Sequence, residues 1–339
     1  MNIRMVLLTS AAAMAAAASP VFAADAIVAA EPEAVEYVRV CDAYGTGYFY
    51  IPGTETCLKI GGYLRFEVYG GSNQKGNSDW NARTRAQVQF TAKSDTEYGP
   101  LTGVIVLRNN GDNTSTTSTL DSAYIDIAGI RAGLFYSWWD DDLSGEPDSL
   151  SSYQTLHNSI RYQYESGDFY AGVSLDELED GAGADRGTNN GNALGVAAAI
   201  GGKVGGFSYQ LIGGYDTDTE DGAIRGMLFA DIGPGTLGLA AAYATGINSY
   251  YDESEWTVAA EYALKATEKF TVTPTVQYFG NYGHNATDTD FSSNDAWRAG
   301  LTVDYQIVDN LYAKATVDYT DVDNEDSVTK GFFRLQRAF

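Results

Sequence analysis

An all-β, antiparallel transmembrane β-barrel of sixteen strands is the fold this sequence predicts, and three observations predict it. From Lys59 to Phe339 apolar and polar residues alternate in short segments separated by Gly-, Asn- and Asp-rich breaks, so each segment reads as a strand with one apolar and one wet face. An export leader precedes them, and the last alternating segment ends the chain on an aromatic residue. A β-protein with so many strands is a large sandwich or a closed barrel, and the leader and terminus favour a barrel in a bacterial outer membrane.

The elements follow in order. Residues 1–23 combine a basic start, an Ala-dominated apolar run and Val21-Phe22-Ala23, which offers small residues to a signal peptidase. A membrane anchor over 5–24 is the alternative, but the run is weakly hydrophobic and no stop-transfer charges follow it. Residues 24–58 form an N-terminal segment holding both cysteines, Cys41 and Cys57. In an oxidising compartment a disulfide is expected, because two thiols without a nearby His make a poor zinc site.

The barrel proper occupies 59–339. Its first strand, 59–70, sets Ile60, Leu64, Phe66 and Val68 against Tyr63, Arg65, Glu67 and Tyr69. Strands are expected at 81–93, 101–109, 120–128, 130–137, 157–165, 168–175, 192–200, 207–215, 223–232, 236–244, 254–264, 270–279, 294–305, 311–319 and 328–339. Ser166-Gly167 and Gly233-Pro234-Gly235 read as tight hairpin turns. Pro274 inside a strand pattern predicts a local irregularity or bulge. Phe339 completes a face with Phe333, Leu335 and Arg337, the shape read by outer-membrane assembly machinery. Small residues in 193–199 and 237–242, taken as facing outward, suit close packing of neighbouring barrels in a trimer.

Composition agrees. Mean hydropathy is −0.22, charged residues are only 19%, and there are 24 Tyr, 14 Phe, 5 Trp and 37 Gly, as an apolar outer band around a wet interior requires. The formal charge of −24 excludes nucleic acid as a partner. Acidic blocks at 176–185, 216–221 and 318–326 read as solvated loops, with divalent cations or lipopolysaccharide counter-ions as the other reading.

The mature start "ADAIVAAEPEAVEYVRVCDAYGTGYFYIPGTETCLKIGGYLRFEV", with "SAYIDIAGIRAGLFYS" and the terminal "FFRLQRAF", closely resembles the outer-membrane porins of alphaproteobacteria of the Brucella and rhizobial type. The resemblance implies a homotrimer in outer-membrane lipid that lets small hydrophilic solutes diffuse passively, with the third external loop folded into the lumen as a constriction. Spacing puts that loop at 137–157, where Asp140, Asp141, Asp142, Glu146 and Asp148 crowd together behind Trp138 and Trp139. A facing basic wall is expected from Arg65, Arg83, Arg85 and Arg108, with Arg131 and Arg161 flanking the loop and Arg298 and Arg334 late in the chain.

Neither of the two histidines, His157 and His284, joins a catalytic order, so no enzyme is expected. A calcium loop starting at Asp216 fails at Asp221 and Met227, and 181–187 lacks a phosphate-loop ending. No cofactor or metal is expected. The alternatives to general diffusion are a substrate-selective channel, with Tyr162, Tyr164 and Tyr170 as an aromatic slide, and a surface adhesin or receptor.

Overall fold

The structure is a computed structural model that describes residues 38–112, 115–178 and 192–339. The expected signal peptide (1–23), the start of the N-terminal segment and most of the acidic block 176–185 lie outside the described residues.

After a short strand β1 (Tyr48–Tyr50) come β2 (Cys57–Lys75), β3 (Ser78–Thr96), β4 (Gly99–Gly111), β5 (Thr116–Ile127), β6 (Ile130–Tyr136), β7 (Leu156–Ser166), β8 (Phe169–Leu178) and β9 (Ala193–Val204). Then follow β10 (Phe207–Asp216), β11 (Asp221–Ile232), β12 (Gly235–Ala244), β13 (Ser254–Thr267), β14 (Phe270–Tyr282), β15 (Ala296–Val308), β16 (Leu311–Val322) and β17 (Val328–Ala338). Each of β2 to β17 pairs antiparallel with its neighbour in sequence. The last returns to the first, with Gly331 opposite Gly70 and Ala338 opposite Tyr63, so the sixteen-stranded sheet closes. Phe339 extends the seam by exchanging backbone hydrogen bonds with Gly62 at 3.0 and 3.1 Å.

Alternation sets the two faces. Leu64 and Phe66 are exposed on the outside, whereas Glu67 between them and the next turn of the chain is wholly buried inside. Toward the long-loop end, Trp256 packs at a tilt against Tyr278 and Trp297 against Tyr319, with centroids 5.5 and 5.3 Å apart, as in the aromatic girdle of a membrane barrel. No described helix is long and apolar enough to cross a membrane, so the crossing belongs to the strands.

Pro274 makes the strand locally irregular, as expected, but not by a bulge. It pairs with Leu301 in unbroken register; on its other side Glu261 stays opposite Thr275 and Leu264 opposite Val272, so ladder pairs are lost without a bulge. A register shift comes only further on, between Lys265 and Thr267.

Small residues supply a second correction. Ala197, Ala199, Ala240 and Ala242 are buried on the inner face, and only their neighbours, such as Val196, Ala198, Leu239 and Ala241, point outward. Half of the small residues taken for an outer packing face therefore serve the interior.

The expected disulfide joins Cys41 to Cys57, in a small cluster with Tyr48, Tyr44 and Tyr50. Tyr44 donates to Asp95 at 2.6 Å, tying this segment to β3. With the cysteines 16 residues apart, the bond restricts the open chain by on the order of 3 kcal/mol. Cys41→Ser with Cys57→Ser is expected to make residues 38–56 protease-sensitive while strand content, followed by circular dichroism, stays unchanged. Loss of the barrel itself would contradict this local role.

Candidate functional site in the barrel lumen

The wall is built first by strand register. Tyr63, Arg65, Glu67 and Tyr69 share the inner face of β2, and the ladder sets Arg65 opposite Arg85 and Glu67 opposite Arg83. From the other side β17 brings Arg334 to Glu67 and Gln336 to Arg65. Glu67, with no exposed surface, accepts from Arg83 at 2.8 Å and from Arg334 at 2.7 Å, with Arg65 at 3.7 Å. One buried carboxylate thus holds three guanidinium groups in place, each with further partners that limit its motion. Arg65 donates to Gln336 at 2.8 Å and Arg85 to Asn110 at 2.7 Å. Arg108 pairs with Asp121 at 2.6 Å and reaches Tyr136 at 3.2 Å.

The connection between β6 and β7, residues 137–155, bonds to inner-face residues of strands far away in sequence. The Ser137 hydroxyl caps a short turn by accepting from Trp139 at 3.0 Å. Arg225 of β11 then donates to the carbonyls of Trp138, Trp139 and Leu150 at 2.9 to 3.1 Å. Leu143 and Leu150 sit in an apolar cluster with Met227, Ala240 and Ala259. Ser144 and Gly145 donate backbone N–H groups to Glu261 of β13 at 2.5 and 2.7 Å. Glu146 donates through its N–H to Thr302 of β15 at 3.0 Å, and its carboxylate binds Lys314 of β16 at 2.7 Å and Arg334 of β17 at 3.2 Å. Arg298 returns to the Pro147 carbonyl and the Ser149 hydroxyl at 3.0 and 2.7 Å. Gly300 makes the close approach possible, since a Cβ there would stand 2.5 Å from the Pro147 ring.

The acidic residues therefore separate. Asp141 accepts from Gln210 at 2.7 Å and Asp140 from Thr155 at 2.6 Å, and Asp140 to Asp142 stay open to lumen water. Asp148 accepts from the Leu143 N–H at 3.3 Å, while Glu146 is neutralised by its two cations. The basic residues separate as well. Arg65, Arg83, Arg85 and Arg108 gather on β2 to β4, but Arg131 forms a bidentate pair with Asp126 at 2.8 and 2.9 Å. Arg161 lies 3.8 Å over Trp138, at the loop's own root. Tyr162 and Tyr164 face outward, which removes them from any lumenal aromatic slide; Tyr170 alone points in, to Gln210 at 2.8 Å.

Sequence reading missed Arg225 and Lys314, which hold the loop. It also missed a signal of their setting. The runs "LGVAAAI" and "LGLAAAYA" lose the apolar–polar alternation, and unbroken apolar strands are covered on both faces. Loop atoms cover the inner one.

A profile described as Porin subfamily matches residues 25–336. The chain is 62% identical to "Outer membrane protein IIIA" of Rhizobium leguminosarum bv. viciae over 98% of its length and 93% of the relative's. It is 34% identical to "Porin Omp2b" of Brucella neotomae over the full length of both. Among solved structures, the trimer form of the outer-membrane protein OmpT of Vibrio cholerae matches with a TM-score of 0.62 at 12% identity, over 84% of this chain and all of that one, a likeness of fold.

The loop carboxylates titrate unusually. Enclosure by the barrel, then Asp148, Asp140 and Asp141 nearby, push Asp142 up to about 7 against the pull of Arg225. Enclosure and Glu261 push Asp148 up to about 6. Raised values mean that the neutral forms favour the fold, a contribution full at acid pH and lost as pH rises through this window. Because water reaches these groups, the consequence is read as charge. Lowering the pH from about 8 to about 5 is expected to shift the reversal potential in a KCl gradient toward anions. Asp142→Asn should remove the upper part of the transition; a reversal potential flat across the window would refute the assignment.

Proposed function

This chain belongs to the Porin subfamily, and we propose that it works as a general diffusion channel whose width and charge are set by residues 137–155 against the arginines of β2 to β4. It is an outer-membrane porin, a channel in class rather than an enzyme. The observation that carries the finer reading is the chain of bonds from loop 137–155 to the inner faces of β10, β11 and β13 to β17. A loop held against those strands meets the arginine wall at Arg334 and leaves Arg65, Arg83, Arg85 and Arg108 to line the passage.

Such a channel acts on solutes in two ways. Small hydrophilic molecules and ions pass in water down their gradient, and the gap between loop and wall limits their size. Charge acts on what fits: open Asp140, Asp141 and Asp142 on one side and arginines on the other make a transverse field, stronger in a narrow low-dielectric lumen than in bulk water. Three arginines share Glu67 and the lysine shares Glu146, so part of the basic charge is spent internally and the uncompensated aspartates favour cations. Selection of one solute by an aromatic slide loses support with Tyr162 and Tyr164 on the outer face.

The assembled form is a homotrimer in outer-membrane lipid and lipopolysaccharide, reached through the barrel assembly machinery. The trimer form of the OmpT relative in fold supports this, as does the terminal Phe339, exposed on the outer face at the closing seam. No cofactor or metal enters the reading.

Replacing Asp140, Asp141 and Asp142 together with Asn is expected to lower cation preference without changing strand content. Deleting residues 143–152 is expected instead to enlarge the pore and raise conductance. Reversal potential and conductance in planar bilayers check both, and the charge effect should shrink in about 1 M salt, where screening acts over about 3 Å. If both variants conduct and select like the parent, other residues form the constriction. In mild detergent the unboiled protein is expected to run as an SDS-resistant trimer that heating dissociates; a monomer alone would count against the assembly.

A further inference from the structure

We propose that residues 245–253, the connection between β12 and β13, form a second inward-folded loop in which Tyr250 is a positioning residue for loop 137–155. The proposal rests on the constriction reading and adds what keeps that constriction in place. A connection at the long-loop end of a barrel is ordinarily solvated, yet residues 246–251 are buried without a break, with Asn248, Tyr250 and Tyr251 at 0%, 1% and 0% exposure.

The segment is internally braced and then tied to the wall. Asn248 closes the turn through all its polar capacity, donating to the carbonyls of Gly246 and Tyr251 at 2.9 and 3.1 Å and accepting from the N–H groups of Tyr250 and Tyr251 at 3.0 and 3.2 Å. Ser249 donates its N–H and hydroxyl to Asp216 of β10 at 3.2 and 2.9 Å. The Tyr250 hydroxyl donates to Asp176 of β8 at 2.9 Å, a carboxylate that also takes bonds from Ser159 and Ser174 at 2.7 and 2.5 Å.

Three contacts then pass from this loop to the other. Ser152 donates its N–H to the Tyr250 carbonyl at 3.0 Å and its hydroxyl to the Ser249 carbonyl at 2.5 Å. The Tyr250 ring packs on Trp139 with centroids 5.9 Å apart. Both ends of loop 137–155 thus touch one tyrosine. The wall is shaped for that ring independently of the hydrogen bonds: a Cβ on Gly214 of β10 would stand 2.4 Å from it, and one on Gly195 of β9 would stand 2.2 Å from its hydroxyl. Two glycines on adjacent strands, Gly214 opposite Ala197 and Gly195 opposite Asp216, leave the space that this phenol occupies.

The test uses refolded trimers of Tyr250→Ala, Tyr250→Phe, Ser152→Ala and Gly214→Ala beside the deletion of 143–152. Single-channel noise and liposome swelling with graded sugars are the readouts, because a tyrosine that merely stabilises the fold would lower the melting temperature and leave both unchanged. Tyr250→Ala and Gly214→Ala are expected to raise the occupancy of substates about tenfold, the change that about 1.4 kcal/mol produces, and to admit larger sugars. Tyr250→Phe and Ser152→Ala, each lacking one hydroxyl, should show smaller shifts in the same direction and carry the test should a larger change fail to refold. Parent-like noise and sugar limit in all four, in a protein whose deletion does widen the pore, would overturn the positioning role alone. A deletion that leaves conductance unchanged would overturn the constriction, and the positioning role with it.

Discussion

Hydrocarbon offers a backbone no hydrogen-bond partner, and the rest of this molecule follows from that. Each N–H and C=O within the membrane must find another strand, so the sheet has to close, and the pairing of β17 with β2 closes it. Closure in turn imposes alternation, since the outer face meets lipid and the inner face meets water. Even Pro274 obeys: the strand gives up ladder pairs on one side and keeps its register, because a slip of one residue would turn its inner residues toward lipid.

A narrow lumen walled by protein screens charge less than bulk water does, and its charges divide into neutralised and open ones. Glu67 gathers Arg65, Arg83 and Arg334, and Glu146 bridges Lys314 to Arg334, so the two anions meet at one guanidinium. Arg334 links the wall to the loop. Like charges directly across a ladder oppose each other, yet Arg65 and Arg85 are so placed; Glu67 offsets part of the Arg65 charge at 3.7 Å, whereas Arg85 donates to the neutral Asn110. Charge retained in this way remains available to act on passing ions.

The inner face is uneven for a packing reason. Opposite the arginine wall, β9 to β13 carry Ala197, Ala199, Ala240, Ala242 and Ala259, too small to fill space. Trp139, Leu143, Leu150, Ile247, Tyr250 and Tyr251 from two loops fill it instead. Apolar contact draws these loops inward, and buried polar ties to Arg225, Glu261, Asp176 and Asp216 fix where they lie.

What the sequence makes legible depends on range. Sixteen strands, their faces, the inward phase of Arg65, Arg83, Arg85 and Arg108, and the Cys41–Cys57 pair were readable, because period-two alternation and a short cysteine spacing are local properties of the chain. The place of the loop was readable for the same reason, as 137–157 against the 137–155 that lie between β6 and β7. Its partners were not: Arg225 and Lys314 lie far along the chain, and a loop's path carries no period. Nor could alternation say that Ala197 and Ala242 face covering loops rather than a neighbouring barrel, since an alanine satisfies either surface. A closed barrel with a charged interior is thus written in the local pattern of the chain. Which charges cancel, which stay open, and where two loops come to rest emerge on folding, because those outcomes depend on side chains that meet across the lumen.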